Sequence, residues 1–345
     1  MAGLRDIALL RLRNQRLVGR GFDSAAEVVS WLGAVQAQDY AGAKWALGQR
    51  MAAGSDAAVE RAFKAGSILR THVLRPTWHF VAPADIRWML NLTAPRVRAA
   101  MRYYDRQLGL GADEFARSHD ALGRALEGER HLTRTELAKV LDAQAQRLGH
   151  LLMRAELDGL ICSGPRRGKQ FTYALIEERV PKAKSRTREQ ALRELCVRYF
   201  RSHGPALPQD FAWWSGLTIA DAKAGLELAR GELSELVVEE RSYWFAGDAK
   251  PPRLRAPVVH LLPNYDEHLI AYKERSAAFD RTRVKKVGPR DMVLANHLIT
   301  LDGRVVGGWR RPKSQLELTL IAKLEAAEKK ALKAAEQRLA GFLQS

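Results

Sequence analysis

The chain has 345 residues, 46% of them hydrophobic, which is material for about two or three packed cores. Lys and Arg number 56 against 39 Asp and Glu, a net charge of +17 with a pI near 10.1. That excess points to a polyanionic partner, most often nucleic acid or an anionic membrane, with a basic proteome or a solubility effect as the alternative. The two cysteines, Cys162 and Cys196, lie far apart in apolar contexts. They exclude a disulfide framework or a cysteine metal site and fit a reducing cytoplasm. No apolar run is long enough to span a bilayer, and the first residues lack a signal-peptide core. The expectation is a soluble intracellular, cytoplasmic protein without a membrane partner.

The first twenty residues alternate Leu4, Ile7, Leu10 and Leu17 with arginines and predict an amphipathic helix. Ser24 and Glu27 form a capping box that starts a second helix near Ala25, with Val28, Val29, Trp31, Leu32 and Val35 as its apolar face. The pattern breaks at Gln36-Ala37-Gln38-Asp39-Tyr40-Ala41-Gly42. In a continuing helix, positions 36 and 38 diverge. If the helix ends or loosens there, as Gly42 suggests, both carboxamides point into one site. The alternative is that they satisfy backbone groups at a helix end. Residues 44–50 and 57–66 read as further helical pieces. Residues 68–74 and 77–81 then read as a β-hairpin around Arg75-Pro76. Arg75, Thr77 and His79 alternate on one face of it. His72 and His79 across the hairpin lack a third ligand, so no metal is expected. Residues 84–108 predict a long helix with Arg87, Arg96, Arg98, Arg102 and Arg106 outward.

The same order then returns twice. After a polar stretch at 115–128, read as a linker, the Thr133/Glu136 capping box opens a helix over 134–144. A second helix follows at 148–157, then a hairpin over 160–176 with Arg166, Arg167 and Lys169 at its tip. Thr187 with Gln190 opens the third round, with helices at 207–214 and 218–228 and a hairpin at 236–245. Trp213 and Trp214 in this round either stack on bases or divide between core and groove edge. Helices followed by a β-hairpin is the order of a winged helix, and three in series is a repeat of pattern. From about Arg253 the texture becomes β-rich. Strands are predicted at 258–262, 269–272, 293–301 and 305–309, a turn at Asp302-Gly303, a basic loop at 281–286 and a helix over about 320–342. The expected fold is α+β and mostly helical. It has winged helices at 1–115, 116–185 and 186–250, then a small barrel-like β domain at 251–345 closed by a helix.

Four motifs together carry a family resemblance: Gln36-Ala-Gln-Asp-Tyr40, Arg75-Pro-Thr-Trp-His79, Leu262-Pro-Asn-Tyr-Asp-Glu267 with Tyr272-Lys-Glu-Arg-Ser276, and Asp302-Gly-Arg-Val-Val-Gly-Gly-Trp-Arg310. In this order over nearly the whole chain they resemble the winged-helix DNA glycosylases of the AlkZ/YcaQ type, in the branch that carries Gln-x-Gln. The resemblance implies three tandem winged helices and a C-terminal β domain. It implies excision of alkylated purines and unhooking of interstrand crosslinks in double-stranded DNA, with Gln36 and Gln38 as the catalytic pair. Asp39, Tyr40, Arg75, Thr77 and His79 are the expected supporting residues. Lys44, Arg96, Arg102, Arg166, Arg167 and Lys169 are expected to meet DNA, and a monomer without cofactor or metal is expected.

The chemistry agrees with such a pair. An N3- or N7-alkylated purine is already cationic and leaves as a neutral base, so it needs little acid help. Two amide oxygens can hold a water below the anomeric carbon and oppose dipoles to the developing positive charge. A monofunctional glycosylase leaving an abasic site follows. Asp39 as the water-activating carboxylate, and a Schiff base through Lys44, are the alternatives within that chemistry. The alternative outside it is a non-catalytic winged-helix regulator, although regulators usually dimerise with one such unit per subunit.

Overall fold

The computed structural model describes residues 3–280 and 297–344. The described residues are α+β, with four small antiparallel sheets set among helices. Its first part holds α1 (Leu4–Asn14), α2 (Ala25–Leu32), β1 (Ala34–Gln36), α3 (Tyr40–Gly48), α4 (Asp56–Ala65), β2 (Leu69–His72), β3 (Trp78–Val81) and α5 (Pro83–Gln107). The strands pair in the order β1-β3-β2. A second set holds α6 (Ala112–Leu126), β4 (Leu132–Thr133), α7 (Arg134–Val140), α8 (Ala145–Leu157), β5 (Ile161–Ser163) and β6 (Thr172–Leu175), with strand order β4-β6-β5. After the short α9 (Ile176–Arg179) come α10 (Arg188–Ser202), α11 (Pro208–Ser215), α12 (Ile219–Leu228) and the hairpin β7 (Ser234–Val238) with β8 (Arg241–Phe245). The last part holds β9 (Val259–Leu262), α13 (Glu267–Ile270), β10 (His297–Leu301), β11 (Arg304–Arg310), β12 (Glu317–Leu320) and a closing helix Ala326–Gln344. Its sheet runs β12-β11-β10-β9.

Several expectations are corrected. The helix opened by Ser24 stops at Leu32 rather than at the Gln stretch. Gly33 takes φ +82°, a backbone state open to glycine, and the chain turns into β1, which pairs Gln36 with His79 of β3. The polar 115–128 stretch is no linker but most of α6. Its Phe115, Ser118, Leu122 and Leu126 are buried at helical spacing beneath an otherwise charged surface. Helix α7 ends at Val140, short of 144. Of residues 269–272, read as a strand, Leu269 and Ile270 end the short helix α13, which Asp266 caps by accepting the His268 N–H, and Ala271 and Tyr272 lie beyond it. Residues 317–320 form β12 along β11, so the closing helix starts six residues later than expected, at Ala326. The basic run at 281–286 and residues 293–296 lie outside the described residues.

Two large cores cross the sequence order. One joins α2, α3 and α4 with β9 to β11 and the closing helix through Val28, Trp45, Phe63, Leu261, Trp309 and Phe342. The other gathers Leu69, Met89, Leu195, Phe211, Trp214 and Tyr272 around α10. A close approach between these parts lies at Gly216, which has φ +70° at the end of α11 and whose added Cβ would sit 2.1 Å from the Leu74 carbonyl oxygen. Gly216→Ala should therefore cost more than about 1 kcal/mol in urea unfolding. A wild-type midpoint would show that the Leu74 turn yields freely.

Candidate active site

The backbone of the Gln-Ala-Gln segment is held from three sides. The Gln36 N–H donates to Glu267 Oε1 (2.9 Å), the Ala37 N–H to the Trp78 carbonyl (2.7 Å), and Arg70 Nε to the Ala37 carbonyl (3.0 Å). Asp39 follows as the N-cap of α3, its Oδ1 accepting the Gly42 N–H at 3.1 Å. Gln36 ends β1 and Gln38 lies in the bend before α3, so the segment is not helical, and both carboxamide oxygens reach the Arg75–Trp78 stretch. The helix has ended before the pair, at Leu32, so neither glutamine is on a helix. Ala37 faces the interior and is fully buried.

Each carboxamide oxygen already accepts one hydrogen bond. Arg75 Nη2 donates to Gln36 Oε1 at 2.6 Å, and the Trp78 N–H approaches Gln38 Oε1 at 3.4 Å. These contacts leave each oxygen a second lone pair. Gln36 is buried at 7% exposure whereas Gln38 is exposed, so the pair runs from the interior to the surface. Burial lowers the Arg75 guanidinium pKa and the Glu267 carboxylate opposes that shift. Glu267 is itself fully buried and accepts Trp214 Nε1 at 2.9 Å beside His203 Nε2 at 3.3 Å.

His79 is fully buried beside this pair. Its Nδ1 lies 2.9 Å from the Thr77 carbonyl, so Nδ1–H donates and Nε2 keeps its lone pair. Burial first, and the Arg75 charge second, push its pKa well below the ordinary histidine range, so the ring is neutral at pH 7. Arg75 Nε, Thr77 Oγ1 and His79 Nε2 are buried without a hydrogen-bond partner, a concentration of unmet polar capacity next to Gln36. Across from them, Pro263 packs against Gly42 and the Asn264 N–H donates to His297 Nδ1 at 2.7 Å, with His297 stacked on Trp309. The four sequence motifs therefore converge in space. Among the described residues no group of three or more His, Cys, Asp or Glu side chains is placed to hold a metal ion.

Other expected residues are placed differently. Tyr40 packs in the core against Phe63, Phe80 and Phe171 and donates to Glu60 at 3.0 Å. Burial first, then Glu60, raise its pKa far above the phenol range. Lys44 is buried between Asp56 (2.7 Å) and Glu60 (3.0 Å), which removes it both from the phosphate-facing set and from nucleophile duty. Arg166 pairs with Glu60 at 3.1 Å beside the Tyr40 and Phe171 rings, and so ties the second hairpin to α4 instead of forming a free tip. Arg167 pairs with Glu136 at 2.8 Å, while Lys169, Arg96 and Arg102 are exposed. Sequence reasoning missed Glu267 and Arg70 as supports. Their signal is a charge inside an apolar stretch, Arg70 in Ile-Leu-Arg-Thr-His and Glu267 ahead of His-Leu-Ile.

A carboxamide pair stands beside buried polar atoms without partners on a strongly basic α+β chain. Residues 29–342 match the family described as DNA glycosylase AlkZ-like, and the chain belongs to that family. It is 26% identical to the interstrand DNA cross-link repair glycosylase of Streptomyces sahachiroi over 338 residues, covering 92% of this chain and 90% of that protein. The solved structure of the Streptomyces sahachiroi DNA glycosylase AlkZ superposes with a TM-score of 0.81 over 99% of this chain and 96% of that one, at 24% identity. The chain is thus a DNA repair glycosylase, and the transcriptional-regulator reading is set aside.

Proposed function

We propose that this glycosylase hydrolyses the N-glycosidic bond of N7- and N3-alkylated purines in duplex DNA and leaves an abasic site. The name of its Streptomyces relative extends the reading to unhooking of interstrand crosslinks. The observation that carries it is the pair Gln36 and Gln38, whose carboxamide oxygens both reach the Arg75–Trp78 stretch with one acceptor position each filled by the protein. The second lone pairs hold a water beneath C1′ of the damaged nucleotide. As the cationic purine departs with the bonding electrons, it becomes neutral and the sugar takes on positive charge. The amide dipoles stabilise that charge, the water adds to C1′, and its proton leaves to solvent past the exposed Gln38.

Asp39 is occupied as a helix cap and Lys44 is held in an ion pair, which favours a monofunctional, metal-independent course over a carboxylate base or Schiff base. The repeated helices-then-hairpin order supports three tandem winged helices at 1–115, 116–185 and 186–250 and a β domain at 251–345, acting as a monomer. The test is incubation with a duplex carrying one N7-methylguanine and with a crosslinked duplex, then alkali and gel separation. Strand cleavage at the lesion supports the reading, and intact strands on both substrates refute it.

Phosphate contact by Arg96, Arg102 and Lys169 predicts that affinity falls steeply with salt. Replacing all three by Ala should lower the slope of log K against log salt by about 0.9 for each phosphate no longer neutralised. Fluorescence anisotropy between low and moderate salt measures it, and an unchanged slope would remove these residues from the interface.

A further inference from the structure

We propose that Trp213 is the platform on which the damaged purine stacks while Gln36 and Gln38 act at its sugar; this rests on the glycosylase reading above. Adjacent tryptophans on α11 divide completely: Trp214 is fully buried, while Trp213 is 39% exposed. Both are registered against the carboxamide pair. Trp214 Nε1 donates to Glu267, the same carboxylate that holds the Gln36 N–H. Trp213 Nε1 donates to the Ile270 carbonyl at 2.9 Å, which locks its ring while leaving part of it open to solvent. The Arg75 guanidinium, which donates to Gln36, lies 5.8 Å from the Trp213 ring, and that of Arg275 lies 5.7 Å away. An exposed indole is therefore only one side chain removed from Gln36.

A locked aromatic surface flanked by guanidinium groups is the arrangement that binds a splayed nucleobase, stacking on its π-face while positive charge meets the backbone. The other large exposed aromatics, Tyr103 and Tyr104, lie on α5 against each other and have no such link to the carboxamides. The platform explains how a site without a carboxylate nucleophile keeps the sugar in place, because stacking fixes the base and hence the anomeric carbon over the glutamines. Trp213 acts as a positioning and selectivity residue and takes no proton.

The test follows tryptophan emission of the full chain during titration with three duplexes of one sequence. One is undamaged, one carries a tetrahydrofuran abasic analogue, and one carries 2′-fluoro-N7-methyldeoxyguanosine, whose sugar resists cleavage. The expected result is quenching by the N7-methyl duplex alone, absent in Trp213→Phe. In single-turnover cleavage, Trp213→Ala should raise the half-saturating enzyme concentration about ten- to a hundred-fold, with the saturated rate changed far less. Trp213→Phe should keep most of the affinity and serves as the folded control. Equal quenching by the abasic duplex, or a Trp213→Ala affinity within about two-fold of wild type, would overturn the proposal. The emission arm reads Trp213 even if no lesion is cleaved, so its outcome is separate from that of the glycosylase assay.

Discussion

Gln36→Ala and Gln38→Ala should each slow excision of N7-methylguanine by about 10²–10³-fold, the cost of losing one preorganised dipole at a developing charge. Binding to undamaged duplex should stay near wild type, since the removed groups are neutral and the phosphate-facing cations lie elsewhere. The two effects differ in kind. At the buried Gln36 the substitution also strips Arg75 Nη2 of its acceptor, in a place where Arg75 Nε already lacks one. Gln36→Ala should therefore destabilise the protein as well as inactivate it, by about 1–3 kcal/mol for a buried charged donor left unmet. Gln38 is exposed, so its replacement should be purely catalytic in effect. Gln36→Glu is instructive, because a carboxylate there would pair with Arg75 and be drawn from the water. It should not rescue activity, although Glu is the stronger base. Single-turnover gels beside urea melts measure both effects, and either alanine variant within five-fold of wild type would remove that glutamine from the mechanism.

Arg50→Ala should lower unfolding stability by about 3–5 kcal/mol, the range for breaking one side of a buried ion pair. Arg50 is 1% exposed and forks onto Asp266 through Nη1 (2.9 Å) and Nη2 (2.8 Å). It also donates to the Gln15 and Ala46 carbonyls and to Gln15 Oε1, so one side chain ties α1, α3 and the segment before α13. Burial raises the Asp266 carboxyl pKa, but Arg50 and the His268 N–H more than offset this and hold it below its ordinary value. A depressed folded pKa contributes stability that is complete above the unfolded value of about 3.9 and fades as pH falls through the folded value. Wild type should thus lose this contribution only in strong acid, and Asp266→Asn should flatten that part of the profile. The pair Arg50→Met with Asp266→Leu should recover much of the stability, because removing both charges removes the desolvation penalty. A drop below about 1 kcal/mol for Arg50→Ala would show that water reaches the site. Since Asp266 precedes Glu267, activity should fall with stability here, unlike in Gln38→Ala.

Local patterns determined most of the elements. The Ser24 N-cap and the capping boxes at Thr133 and Thr187 start α2, α7 and α10, because a side-chain oxygen meeting an unpaired N–H is decided within four residues. Alternation and turn residues likewise placed the hairpins β2–β3, β5–β6 and β7–β8. The Gln-x-Gln pair was legible as a break in periodicity, and four motifs in series were enough to indicate the family.

Partners distant in sequence decided the rest. Three-residue β1 is a strand only because β3 lies beside it, and Gln36 is extended for that reason. Residues 269–272 carry strand-forming side chains, yet α13 forms there because Asp266 caps it and the buried Arg50 holds that carboxylate. The charge signal named Lys44 and Arg166 as DNA contacts, but each finds acidic partners in α4 or beside it, which no local pattern reveals. Charge count alone predicts a basic surface and cannot say which cations are spent internally. Glu267 was missed as a support for the same reason, and for Trp213 base stacking was only one of two readings. Their meaning lies in reaching Gln36 across more than 170 residues, and only packing brings such groups together, because burial rewards contact without regard to sequence distance.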